Sequence, residues 1–142
     1  MASNLAICEI DPDLMNKLSK FRFRKEKNDA AIVMKIVADK QLIVADEEYN
    51  ETSVEEVAAE LPEHLPRYVA YSYVFKREDG RVTYPLCFIF ISPSGVKPEL
   101  HMMYAGSQNE LVNKGGFSKV FKLRSVEEFT EEWLISELKF FK

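Results

Sequence analysis

Histidine, cysteine and glycine are scarce here, with two, two and five copies in 142 residues. His64 and His101 share no HExxH or Cys/His spacing, which excludes the common zinc sites. Cys8 and Cys87 stand far apart with no CxxC pair, which excludes a disulfide scaffold or a dithiol redox motif. The glycines form neither GxGxxG nor GxxxxGK followed by Ser or Thr, so nucleotide chemistry lacks its phosphate cradle. The longest apolar run, 86–91, is far short of the roughly 20 residues that span a bilayer, so no membrane span is expected. Cations do not dominate either: 19 Lys and Arg against 23 Asp and Glu leave a net charge of -4, which disfavours a dedicated nucleic-acid binder. The N-terminus shows no cationic segment leading into an apolar core, so a cytoplasmic chain is expected.

What is present is a core. A hydrophobic content of 46% in 142 residues suits one domain, 1–142, that folds without disulfide or metal. Asp11 with Pro12 opens a helix, Asp as the cap and Pro at the first position, and Leu14, Leu18 and Phe21 repeat on one buried stripe. Residues 31–37 and 42–44 read as antiparallel strands joined by a tight turn at Asp39-Lys40. Ser53 with Glu56 forms a capping box for a short helix that Pro62 stops.

Residues 68–75 and 82–91 read as a long hairpin with an Asp79-Gly80 turn, loosened at Pro85, which cannot donate to a ladder. Val69, Tyr71, Tyr73 and Phe75 alternate with Tyr68, Ala70 and Val74, so both faces of the strands need cover. Pro98 opens a third helix closed by Gly115-Gly116, 117–123 reads as a strand, and Thr130 caps a last helix carrying Trp133, Leu134, Leu138 and Phe141. The economical fold is α/β, a central mixed sheet sandwiched between two layers of helices.

No catalytic constellation emerges. Cys87 sits in an apolar strand where burial keeps a thiol inert, Cys8 is undecided, and the histidines suit surface or packing roles. Glu127, Glu128, Glu131 and Glu132 suit the start of the last helix, whose dipole favours anions; a partner-facing acidic patch is the alternative.

Two surfaces ask for a partner. Lys17, Lys20, Arg22, Arg24, Lys25 and Lys27 crowd one segment of an acidic chain. If that segment is helical, Lys17, Lys20 and Arg24 share a stripe; if extended, Arg22 and Arg24 share a side while Phe21 and Phe23 point inward. The cluster is either solvated surface or a steering patch for an acidic partner or lipid headgroups. On the third helix, advancing about 100° per residue puts Leu100, Met103, Tyr104, Ser107 and Leu111 toward the sheet. Met102, Ala105, Gly106, Asn109 and Asn113 then form an uncharged outer face, suited to insertion in an apolar cleft. Gly106 costs the helix roughly 1 kcal/mol relative to Ala, a cost that close approach of a partner would justify.

This order of elements resembles the actin-depolymerising-factor homology domain, and within that superfamily the glia maturation factors. The segments that carry the resemblance are Lys20-Phe21-Arg22-Phe23-Arg24-Lys25, the run 79–90, Met102-Met103-Tyr104-Ala105-Gly106-Ser107 and Thr130-Glu131-Glu132-Trp133-Leu134. The resemblance implies a non-enzymatic protein without cofactor or metal. It would bind the Arp two/three complex, inhibit actin nucleation and promote loss of filament branches; cofilin-like monomer or filament binding with severing is the alternative. It implies that Met102, Gly106, Asn109, Asn113, Lys20, Arg22 and Arg24 meet the barbed-end groove of an actin-related subunit. Arg77, Glu78, Asp79 and Arg81 of the hairpin tip, with Glu127 and Glu128, would meet the first actin of a daughter filament. Ser3 would be a phosphorylation site, and the protein would lie at branched networks such as the leading edge, with the nucleus as a second location. In ADF and cofilin the long helix carries lysines before and after its Met-x-Tyr segment. Here Glu99 and His101 precede Met102, and Gln108, Asn109, Val112 and Asn113 follow, so weak or no binding to monomeric actin is expected.

Overall fold

A computed structural model describes residues 7–140. The apolar runs meet in a six-stranded sheet of order β1-β3-β2-β4-β7-β8, built from β1 (Glu9–Ile10), β2 (Ala30–Val37), β3 (Leu42–Asn50), β4 (Arg67–Ser72), β7 (Leu86–Ile91) and β8 (Lys119–Leu123). The sheet is mixed: β1 with β3 and β7 with β8 run parallel, and the remaining pairs are antiparallel. β5 (Phe75–Lys76) and β6 (Val82–Thr83) form a separate two-stranded ribbon.

Alternation along the strands sends side chains to two helical layers. Ile32, Met34, Tyr68, Ala70, Phe88 and Phe90 pack under α1 (Pro12–Arg22) and α3 (Pro98–Gly115), which contribute Leu14, Leu18, Tyr104 and Leu111. Val33, Val69, Tyr71, Ile89 and Ile91 pack on the other face against α2 (Val54–Glu60) and α4 (Glu131–Leu138), which contribute Val54, Val57, Leu134 and Leu138. Full burial of side chains of this size stabilises by about 1.5–3 kcal/mol each, so the two-sided sheet is the main source of stability.

The local signals act as their chemistry requires, with instructive exceptions. Ser53 and Glu56 close the capping box of α2, and Thr130 Oγ1 accepts the Trp133 amide at 3.0 Å to start α4. Asp11 precedes α1, but its side chain caps nothing. Its backbone amide instead donates to the Ile43 carbonyl at 2.9 Å, extending the β1–β3 pairing. The long hairpin breaks after Ser72: Tyr84 and Pro85 leave the ladder, the Tyr73 amide donates to the Pro85 carbonyl at 3.2 Å, and pairing resumes in the β5–β6 ribbon. Phe141 and Ser3 lie outside the described residues.

Candidate partner-binding surface

The helix α3 is fixed at both ends and along one side. Pro98 occupies the first turn, and Gly116 ends the helix in the left-handed conformation, φ 74°, with its amide and that of Phe117 returning to the Val112 carbonyl. On the inner side Tyr104 stacks on Phe90 with ring centroids 6.2 Å apart, and its hydroxyl accepts the Ile36 amide at 2.9 Å. The Tyr68 hydroxyl donates to the Tyr104 carbonyl. Buried Ser107 accepts the Cys8 amide at 2.9 Å, which pins Cys8 to the middle of the helix.

The opposite side is exposed as the helical spacing requires: Met102 is 62% accessible, and Ala105, Gly106, Asn109 and Asn113 are all exposed. Met103 and Leu100 sit at the boundary, half-buried. Ile7, 60% exposed, adjoins Cys8, whose amide is held by Ser107. Periodicity gives no signal for the placing of Cys8, because it is set by a hydrogen bond between segments far apart in the chain.

The basic segment divides between two tasks. α1 runs through Arg22, so the helical alternative holds up to there, and Phe23 is 68% exposed rather than turned inward. Arg22 reaches across to the end of α3: its guanidinium lies 2.7 Å from where a Cβ on Gly116 would stand and also covers the Phe23 ring at 5.2 Å. A cation at the negative end of a helix dipole is favoured there. Arg24 turns away. Its guanidinium donates to the Asn28 carbonyl at 2.9 Å and to Asn28 Oδ1 at 2.7 Å. Lys17 pairs with Glu48 at 2.8 Å, while Lys20 is exposed. Arg22 and Asn113 thus join one surface, and Arg24 belongs to the interior of the adjoining loop.

Gly116 has a double constraint, a positive φ and the guanidinium against it. Gly116→Ala should therefore lower stability by about 1–3 kcal/mol, read as a fall in melting temperature, and should free Arg22, read by chemical-shift change at its side chain.

At the far end, Arg77, Glu78 and Asp79 line a groove of about 990 Å³ together with Tyr73, Glu131 and Ile135. Asp79 is anchored by Arg81, whose amide and Nε donate to it at 3.0 and 2.8 Å, and the Arg81 amide holds the carboxyl below its ordinary range. Glu127 and Glu128 lie in the 3-10 turn Val126–Glu128, outside the lining of this groove; Glu131 takes the place beside the hairpin. Nucleophile chemistry has no footing at Cys87, which is fully buried and pushed up to about 12 by desolvation. His101 shares a hydrogen bond with Ser92 at 2.7 Å and stacks on Phe90, and among the described residues no cluster of His, Cys, Asp and Glu could hold a metal ion.

This arrangement, a sheet flanked by paired helices with the long helix presenting one face, has known relatives. The model of the family described as cofilin/tropomyosin-type actin-binding protein matches residues 7–139. Human glia maturation factor beta is 55% identical over 99% of both chains, and the Drosophila melanogaster glia maturation factor is 42% identical over 96% of this chain and 99% of its own. The chain belongs to the glia maturation factor family. The solution structure of the Caenorhabditis elegans glia maturation factor superposes with a TM-score of 0.82 at 38% identity, covering 96% of this chain and 99% of that one. This member of the glia maturation factors is thus an actin-regulatory protein with the ADF-homology fold. Among the described residues no helix is long and apolar enough to cross a membrane.

Proposed function

We propose that this glia maturation factor binds the Arp two/three complex, inhibits its nucleation of actin and promotes debranching of filament networks. The observation that carries the reading is the outer face of α3. Met102, Gly106, Asn109 and Asn113 stand exposed in an uncharged row, with Arg22 held at its end. Such a row suits a cleft between the subdomains of an actin-related subunit, and Lys20 adds a flanking cation. An interface selected for ordinary actin by lysines on this helix would find Glu99 ahead of Met102, and misplaced like charges at an interface cost several kcal/mol. Weak binding to monomeric actin follows.

A second contact, through Arg77, Glu78, Asp79 and Arg81, with Glu127 and Glu128 on the turn ahead of α4, would engage the first actin of the daughter filament. Binding both neighbours at once favours a strained junction and lowers the barrier to branch loss. Work of this kind places the protein in the cytoplasm at branched networks, with the nucleus as a second location. Phosphorylation of Ser3 would add negative charge to the chain and oppose docking.

Cosedimentation tests the reading: tight binding to purified Arp two/three complex with little binding to monomeric actin supports it, and the reverse ranking overturns it. Arg22→Glu should slow association and flatten its dependence on salt, measured by stopped-flow at several ionic strengths.

A further inference from the structure

Asp29 precedes β2, and its side chain takes no part in the sheet. One carboxylate oxygen accepts the Tyr71 hydroxyl at 2.6 Å, the other accepts the Val74 amide at 2.9 Å, and its carbonyl accepts the Thr52 amide at 3.1 Å. Val74 lies in the break between β4 and β5, where the chain leaves the large sheet to enter the ribbon that carries the hairpin tip. The ribbon strands pair only with each other, so the direction of the tip is set at this root.

The neighbouring residue completes a strut. Asn28 holds the Arg24 guanidinium through both its carbonyl and its side-chain oxygen, and Arg24 covers the Phe21 ring at 6.0 Å. Two sets of polar contacts, Arg24 to Asn28 and Asp29 to Val74 and Tyr71, are joined by the Asn28–Asp29 peptide bond and so connect the residues just past α1 with the root of the hairpin. Half-burial of a carboxylate costs desolvation, and Asp29 is kept there beside Glu131, another acid. An apolar residue would avoid that cost but would leave the Val74 amide without its acceptor.

We propose that Asp29 is a positioning residue that fixes the aim of the hairpin tip relative to the α1–α3 surface, so that one partner assembly can meet both. The inference rests on the two-contact reading above. It also recasts Arg24 as a member of the strut, acting through Asn28 and Asp29 rather than by touching a partner.

Hydrogen exchange on the whole chain reads the positioning without any partner. Asp29→Ala should speed exchange of the Val74, Arg77 and Gly80 amides by at least about tenfold, the effect of losing a hydrogen bond to a charged acceptor. The Ile32 and Ile89 amides should keep their protection. Asp29→Asn, which retains an acceptor for Val74, should fall between. With the Arp two/three complex, Asp29→Ala should keep affinity within about twofold, because the α3 face is untouched, and should lose most of the acceleration of branch loss. Unchanged exchange in the hairpin, uniform acceleration over the whole chain, or equal losses of affinity and branch loss would each overturn the proposal. Failure of the wild-type protein to bind the complex would overturn the two-contact reading, a result separable from the hairpin exchange.

Discussion

Met102→Asp should weaken binding to the Arp two/three complex by at least about 100-fold while leaving the melting temperature nearly unchanged. The two halves of that expectation come from the same number. At 62% exposure Met102 supports little of the core, and substitutions at such positions usually stay within about 0.5 kcal/mol. In the proposed complex the side chain enters an apolar cleft, where a carboxylate would be stripped of water without a partner. Met102→Leu keeps the apolar volume and should bind within a few-fold of wild type. Calorimetric or fluorescence titration with purified complex measures the affinities, and a thermal melt measures the fold. A large fall in melting temperature on Met102→Asp would show that the side chain supports the core, against the geometry described.

The second large effect is alkaline unfolding. Burial raises the hydroxyls of Tyr68, Tyr71, Tyr73 and Tyr104 above the ordinary tyrosine value near 10, and the hydrogen bond to Asp29 adds to the rise at Tyr71, as that to Glu131 does at Tyr73. Above pH 10 the unfolded chain releases these protons and the folded chain retains them. The unfolded state then binds fewer protons, so the stability these hydroxyls contribute is fully present below pH 10 and falls as pH rises. Each tyrosine whose hydroxyl is raised far contributes a slope of about 1.4 kcal/mol per pH unit, so Tyr68, Tyr71 and Tyr73 together contribute about 4 kcal/mol per pH unit, and Tyr104 adds in the same direction. A domain of ordinary stability, about 5–15 kcal/mol, is exhausted within a few units. The buried thiols of Cys8 and Cys87 are raised as well and start the decline near their ordinary value of 9. The tyrosinate absorbance of these four residues should therefore rise, and the far-ultraviolet circular dichroism fall, in one cooperative step above pH 10. Gradual titration of all the tyrosines near pH 10 with the fold intact would contradict the packing.

How much of this was legible depended on the range of the interaction. The α3 surface could be read because a helix repeats every 3.6 residues and Pro98 and Gly116 mark its ends, so Tyr104, Ser107 and Leu111 identify the buried side and Met102 the other. The capping box at Ser53 is equally local. The break after Ser72 was partly visible through Pro85, yet Tyr73 and Val74 continue the apolar alternation of the strand. What holds that turn open is Asp29, distant in sequence, and period-two reasoning carries no information about it.

Charge shows the same limit. Six cations between Lys17 and Lys27 announce a basic segment, but two of their partners come from elsewhere, Glu48 for Lys17 and the end of α3 for Arg22, while Arg24 turns to Asn28, four residues on. Counting charges could not separate Arg22, which joins the α3 surface, from Arg24, which leaves it. Asp11 failed as a cap for a similar reason, since the pairing of its amide with Ile43 sets the entry into α1. Phe23, the most exposed aromatic of the basic segment, lies just past the last turn of α1, where neither helical nor strand periodicity applies.

The central claim is that the uncharged side of α3 dissociates branches by entering an actin-related subunit. Fluorescence microscopy of preformed branched filaments tests it most directly. Wild-type protein should increase the rate of branch loss while mother filaments stay intact, and Met102→Asp at the same concentration should leave the rate at its unassisted value. Equal branch loss by the two proteins, or fragmentation of unbranched filaments by wild type, would contradict the account.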